Sequence, residues 1–149
     1  MLNNKIPPVL VLFVFALFMA LIAFKTAIDY SSFITVLSLL SVSIGVIFGI
    51  AGVISFRQAK TTLNPQKIDN TSELVTSGIF KITRNPMYVG LTFLLIGWGF
   101  WLTSIYALIG VVGFVFYITY FQIKPEEKAL LRLFPEQYKH YMSKVRRWL

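Results

Sequence analysis

Two short polar stretches hold the residues whose types and spacing are best suited to chemistry. The first ends in Arg84-Asn85-Pro86-Met87-Tyr88, directly before an apolar run, and the second contains the adjacent Glu126 and Glu127. An arginine pairs with anionic groups, a carboxylate neutralises a cation or accepts a proton, and a tyrosine donates a hydrogen bond. These two stretches are therefore the candidates for a functional site.

Composition excludes several other kinds of site and points to a membrane protein. The 149 residues include no cysteine and one histidine, so thiolate nucleophiles and metal centres built on cysteine or histidine are excluded. Hydrophobic residues make up 56% of the chain and charged residues 13%, about half the charged share of a soluble domain. The sequence predicts a single integral membrane domain over residues 1–149.

Four apolar runs predict the elements that must position the polar stretches. A helix needs about 20 apolar residues to cross the hydrocarbon core. The predicted spans cover about 8–28, 33–56, 87–102 and 105–123. The gap between the last two is too short for a loop outside the membrane and predicts a tight helical hairpin. The expected fold class is therefore all-α, with four transmembrane helices.

The segment after the fourth run predicts an amphipathic helix. Over residues 125–147 and just beyond, apolar residues recur at spacings of three and four, which defines one face of a helix. The residues on this face are Leu130, Phe134, Tyr138, Tyr141, Val145 and Trp148. We expect this C-terminal helix to lie at the membrane surface.

The positive charges predict the orientation. With four spans, every lysine and arginine except Lys25 lies on the side of the two polar stretches. The positive-inside rule places that side, with both termini, in the cytoplasm. The net charge of +8 then suits anionic lipid headgroups rather than nucleic acid. We expect the lipid bilayer as a partner, in a bacterial or archaeal plasma membrane.

The second run also carries a stripe of small residues. Ser41, Gly45 and Gly49 lie four residues apart, a pattern that lets two helices approach closely. We interpret it as packing within the molecule rather than as a dimer interface.

The polar motifs together resemble a known family. Leu74-Val75-Thr76-Ser77-Gly78-Ile79-Phe80 is followed by Arg84-Asn85-Pro86-Met87-Tyr88-Val89-Gly90, then by a hairpin, Glu126-Glu127 and Phe134-Pro135-Glu136-Gln137-Tyr138. This order is similar to that of the isoprenylcysteine carboxyl methyltransferase and phospholipid methyltransferase superfamily of membrane enzymes. The resemblance implies methyl transfer from S-adenosylmethionine to a lipophilic or membrane-resident acceptor, without a metal ion.

The resemblance also implies that the two polar stretches form one cofactor pocket, with Tyr88 and Glu126 within the span of one cofactor molecule, and it implies roles for particular residues. The implied cofactor-binding residues are Ser72, Glu73, Leu74, Val75, Phe80, Asn85, Pro86, Met87, Tyr88 and Glu126. The catalytic candidates are Glu127, Tyr88 and Arg84, and Gln122 is the candidate for substrate binding. Gln122 stands where the prenylcysteine-specific enzymes have a basic residue, which argues against a prenylcysteine acceptor more than against methyl transfer.

The sequence leaves the acceptor and two other protein classes open. A carboxylate acceptor is ionised near neutral pH and needs no general base, whereas an amine must lose a proton, with Glu127 or Tyr88 as the nearest candidate. One alternative is an NADPH-dependent membrane reductase of the sterol-reductase type. The other is a small membrane protein without enzymatic activity.

Overall fold

A computed structural model describes residues 6–27, 29, 31–58 and 74–149, and these residues form helices without any strand. The α-helices in this part are α1 Pro8–Thr26, α2 Ser32–Gln58, α3 Pro86–Trp101, α4 Ile109–Ile118, α5 Lys124–Leu133 and α6 Pro135–Lys144. Shorter helical turns cover Gly78–Lys81, Tyr106–Leu108 and Thr119–Ile123. The all-helical fold class is confirmed.

Three helical segments of the described residues are long and apolar enough to cross a membrane. They are α1, α2 and the continuous segment Tyr106–Leu133, which contains α4 and α5. The predicted third span corresponds to α3, which is apolar but only 16 residues long, shorter than a full crossing needs. The described part therefore supports a membrane protein with three spans of sufficient length.

The helix that contains the predicted fourth span does not end at residue 123 but continues to Leu133. Between α4 and α5 the backbone forms a wide π turn, Thr119–Ile123. Pro125 lacks an N–H, and in a regular helix its ring would collide with the carbonyl group four residues earlier. That carbonyl belongs to Phe121, which lies inside the wide turn, so the helix passes through the proline without ending.

The predicted single amphipathic helix over 125–147 is wrong. Two helices, α5 and α6, meet at Phe134, whose backbone angles (φ −131°, ψ 61°) are not helical. Phe134 precedes Pro135, and the proline ring disfavours helical angles at the residue before it. The apolar face of α6 packs with Val75 and Phe80 through Tyr138 and Tyr141, so protein covers these side chains.

Helices α2 and α3 pack closely at glycine residues. A β-carbon on Gly90 would lie 2.8 Å from the carbonyl oxygen of Gly45, and one on Gly45 would lie 2.8 Å from that of Gly90. Farther along, the Ser38 hydroxyl donates to the Gly97 carbonyl at 2.8 Å. The predicted role of Gly45 in packing within the molecule is therefore confirmed.

Replacing Gly90 with alanine is expected to destabilise the protein. The new methyl group would meet backbone atoms of α2 that cannot move aside, so the two helices must separate. Overpacking of this kind costs about 1–3 kcal/mol. Thermal unfolding in detergent measures the effect, with Gly49→Ala as the matched control because nothing lies within 4 Å of its β-carbon position. Equal unfolding midpoints for the two variants would contradict the close packing.

Candidate functional site

A cavity of about 700 Å³ lies between α2, α3, α5 and α6. We call one part of its lining the polar end, which consists of Arg84, Asn85, Tyr88, Glu126 and Glu127. We call another part the apolar arm, which consists of Gly45, Gly49, Val53, Leu91 and Leu94. Ligand cavities in proteins usually have volumes of roughly 300–1,000 Å³ and combine apolar walls with a few polar groups.

The two polar stretches meet at the polar end. The Tyr88 hydroxyl donates a hydrogen bond of 2.5 Å to Oε1 of Glu126, across 38 residues of sequence. Tyr88 is buried, at 7% exposure. No other described residue donates a hydrogen bond to the Glu126 carboxylate, so Oε2 can accept one from a ligand. The expectation that Tyr88 and Glu126 belong to one pocket is confirmed.

Glu127 holds two arginines. Its carboxylate accepts hydrogen bonds from Nε and Nη2 of Arg147, at 2.9 and 2.7 Å, and its Oε1 lies 3.1 Å from Nη1 of Arg84. The side chains of Glu127 and Arg84 are about nine-tenths buried. Because arginines occupy both oxygens of this carboxylate, the geometry favours a positioning role for Glu127 over that of a general base.

Arg84 has hydrogen-bonding capacity that the described residues leave unused. Its Nε is buried and has no acceptor among them, and its Nη1 contacts Glu127 without hydrogen-bond geometry. Its guanidinium carbon lies 6.0 Å from the ring centre of Tyr138. Because a buried guanidinium donor without an acceptor is costly, Arg84 is suited to an anionic or carbonyl group of a ligand in the cavity.

The C-terminal residues fold back onto the segment before α3. The Arg84 N–H donates to the carbonyl of Arg146 at 3.0 Å. The carbonyl of Arg147 accepts from Thr83 Oγ1 at 3.2 Å and from Asn85 Nδ2 at 2.9 Å. The amide nitrogen of Asn85 thus fixes the C-terminal segment, although Asn85 also lines the cavity.

Aromatic residues from two elements form a wall of the cavity. Phe80 lies in the Gly78–Lys81 turn, and its carbonyl accepts a hydrogen bond of 2.6 Å from the Tyr141 hydroxyl of α6.

Burial, together with the negative charge of Glu127, raises the pKa of Tyr138 to about 12. Tyr138 is therefore a protonated phenol near neutral pH. Hydrogen bonding to Glu127 raises the pKa of Arg147, so Arg147 keeps its positive charge.

Gln122 is not brought to the cavity. Its side chain is fully buried, and its Nε2 donates to the carbonyl of Ile6 at 2.7 Å. Gln122 lies four positions before Glu126, a spacing that puts two residues on one face of a regular α-helix. The wide turn at Thr119–Ile123 accommodates more residues per turn and rotates Gln122 away from that face.

Most of the predicted site residues that the structure describes line this one cavity. They are Leu74, Val75, Phe80, Arg84, Asn85, Pro86, Met87, Tyr88, Glu126 and Glu127. Ser72 and Glu73 lie outside the described residues. Sequence reasoning missed Arg147, the partner of Glu127, and the contribution of α2 to the apolar arm. The stripe containing Gly49 was a usable signal for α2, whereas no motif marked Arg147.

Comparison with known proteins gives one family and one relative of interest. The family described as phospholipid methyltransferase matches residues 33–137, more than half of the chain, and this match begins near the start of α2. An uncharacterized protein of Haemophilus influenzae is 43% identical over 63 residues, which cover 42% of this chain and all of that protein. No solved structure matches the chain significantly.

Proposed function

The chain belongs to the phospholipid methyltransferase family, and we propose that it transfers a methyl group from S-adenosylmethionine to a lipophilic acceptor taken from the bilayer. The strongest support is the hydrogen bond between Tyr88 and Glu126. It joins both polar stretches at the polar end of a cavity that also has an apolar arm. A polar cofactor and an apolar acceptor need such a combination.

The proposed membrane arrangement has four spans. In it α3, although short, crosses most of the bilayer against α2, and the polar end of the cavity lies at the cytoplasmic surface of a plasma membrane. The basic residues near that surface support this orientation. The polar end is then open to a cofactor from the cytosol, and the apolar arm lies at the depth of the acyl chains.

The residues of the polar end fit S-adenosylmethionine by their chemistry. The carboxylate of Glu126 would hold the ammonium group or a ribose hydroxyl, and the unused Nε of Arg84 would hold the carboxylate. Phe80 and Met87 offer apolar surface to the adenine ring. When bound, the cofactor supplies an electrophilic methyl group on a positively charged sulfur.

The chain itself contributes position rather than covalent chemistry. Tyr88 orients Glu126, and Glu127 holds Arg84 in place, so the polar end is arranged before a ligand enters. Correct placement of two reactants is worth roughly 7–11 kcal/mol of the activation barrier. A carboxylate acceptor needs no base, whereas an amine acceptor must lose a proton, and Glu126 is then the best-placed carboxylate because one of its oxygens is free among the described residues.

A labelling experiment tests the proposal and identifies the acceptor. The protein purified in detergent is incubated with methyl-labelled S-adenosylmethionine and, separately, with a bacterial lipid extract, prenylcysteine analogues or small amines. We expect label in a product that partitions into organic solvent. Label in none of the three classes, with cofactor binding also absent, would overturn the proposal.

A further inference from the structure

The apolar arm has unfilled space at Gly49. This residue lies in the same stripe as Gly45, but a β-carbon at position 49 would meet nothing within 4 Å, whereas one at position 45 would collide with Gly90. Gly49 also lines the cavity. Packing against α3 therefore explains Gly45 and does not explain the lack of a side chain at Gly49.

A second observation points to a ligand in this cavity. Arg84 lines the same cavity, its side chain is nine-tenths buried, and its Nε has no acceptor among the described residues. A ligand that satisfies Arg84 has a polar group at the polar end. The space at Gly49 is then available to an apolar group in the same cavity.

The apolar arm is open on the side of α2 that faces the lipids in the proposed membrane arrangement. Val46, Ile50 and Ile54 recur every four residues along α2, line the cavity and are about half exposed, at 45%, 55% and 48%. From Arg57, at the cytoplasmic end of α2, Gly49 is eight residues away and Gly45 is twelve, which correspond to about 12 Å and 18 Å along the helix axis. An alkyl chain lying along this face would pass Gly49 before it reaches the end of the arm.

We propose that Gly49 is a specificity-determining residue that leaves room for the alkyl chain of the methyl acceptor and sets the length of chain that the cavity accepts. The inference rests on the proposed function for the identity of the ligand as an acceptor. A larger side chain at position 49 blocks the arm beyond this point and excludes long chains, while short chains and the polar end are unaffected.

The test uses full-length protein, a Gly49→Leu variant and photoreactive amphiphiles. The probes are N-acetylcysteine thioethers and phosphatidylethanolamines, each made with a short and a long alkyl chain that ends in a diazirine. After illumination, mass spectrometry measures labelling at Leu94, which lies beside Gly45 and beyond position 49, and at Val53, which lies one helical turn before position 49. Ser43→Leu is the matched control, because it adds similar bulk to the same helix at an exposed position outside the cavity.

In wild-type protein and in Ser43→Leu we expect long-chain probes of at least one headgroup to label Leu94, beyond Gly49. In Gly49→Leu we expect that labelling to fall by about tenfold or more, because several methylene groups of the long alkyl chain can no longer be buried in the arm. Short-chain labelling should stay unchanged. Gly49→Ala, whose methyl group fits the free space, should give a smaller decrease and provides the test if the leucine variant does not fold.

Two results separate this inference from the proposed function. If Gly49→Leu binds S-adenosylhomocysteine as the wild type does and long-chain labelling is unchanged, the inference is overturned while the proposed function stands. If the wild type binds no S-adenosylhomocysteine although labelling depends on residue 49, the proposed function fails and the space at Gly49 serves a different ligand.

Discussion

Replacing Glu126 with alanine is expected to weaken binding of S-adenosylhomocysteine about 10- to 100-fold. A hydrogen bond that involves a charged group contributes about 1.5–3 kcal/mol, and each 1.4 kcal/mol corresponds to a factor of ten in the dissociation constant. The variant also leaves the buried Tyr88 hydroxyl without its acceptor. Calorimetric titration of the detergent-solubilised protein measures the change, and methyl transfer should fall in parallel.

Two further variants show whether the effect belongs to the carboxylate. Tyr88→Phe keeps the ring and the carboxylate but removes one hydrogen bond, so we expect a loss of about fivefold. Glu136→Ala removes a carboxylate that is 85% exposed on α6 and should bind like the wild type. Unchanged affinity in Glu126→Ala would show that this carboxylate does not contact the cofactor.

Replacing Glu127 with alanine is expected to lower the stability of the protein by about 3 kcal/mol. Removing one partner of a buried ion pair leaves an uncompensated charge and costs about 3–5 kcal/mol. We take the lower limit because Arg147, the second partner, is about one-third exposed and is partly solvated without Glu127. The midpoint of thermal unfolding in detergent measures the effect.

Two further variants show how much of this loss comes from the pair with Arg147 and whether an exposed ion pair has any effect. Arg147→Ala removes only the more exposed partner, so we expect a loss of about 1 kcal/mol. Glu136→Ala breaks an exposed ion pair with Lys139 and should leave the midpoint unchanged. If Glu127→Ala unfolds at the same temperature as Glu136→Ala, the ion pairs of Glu127 do not stabilise the segment before α3.

Local sequence signals predicted the elements and much of the site. Apolar runs place α1 and α3 to within about two residues of the observed bounds, because hydrophobicity alone marks helices of this length. The resemblance based on the motif before α3 and the Glu126-Glu127 pair predicted that Tyr88 and Glu126 belong to one pocket, but it did not predict the hydrogen bond between them. The break at Phe134 was also predictable, since the following proline restricts its backbone.

Long-range contacts explain what sequence reasoning missed. Arg147 has no periodic or motif signal, and its pairing with Glu127 depends on the fold of the chain after α6. Gln122 shows the opposite difficulty, because its spacing from Glu126 matches one helical face and only the wide turn at Thr119–Ile123 turns it away. Gly45 and Gly49 look alike in sequence, and their difference arises from the position of Gly90 on the facing helix.

In the proposed function, the segments around Tyr88 and Glu126 form one binding site for S-adenosylmethionine. Titration calorimetry of the wild-type protein with S-adenosylhomocysteine, in the absence and in the presence of NADPH, is the decisive experiment. We expect saturable binding at one site that NADPH does not displace. Absence of binding, or tight binding of NADPH instead of S-adenosylhomocysteine, would show that this is not a site for S-adenosylmethionine.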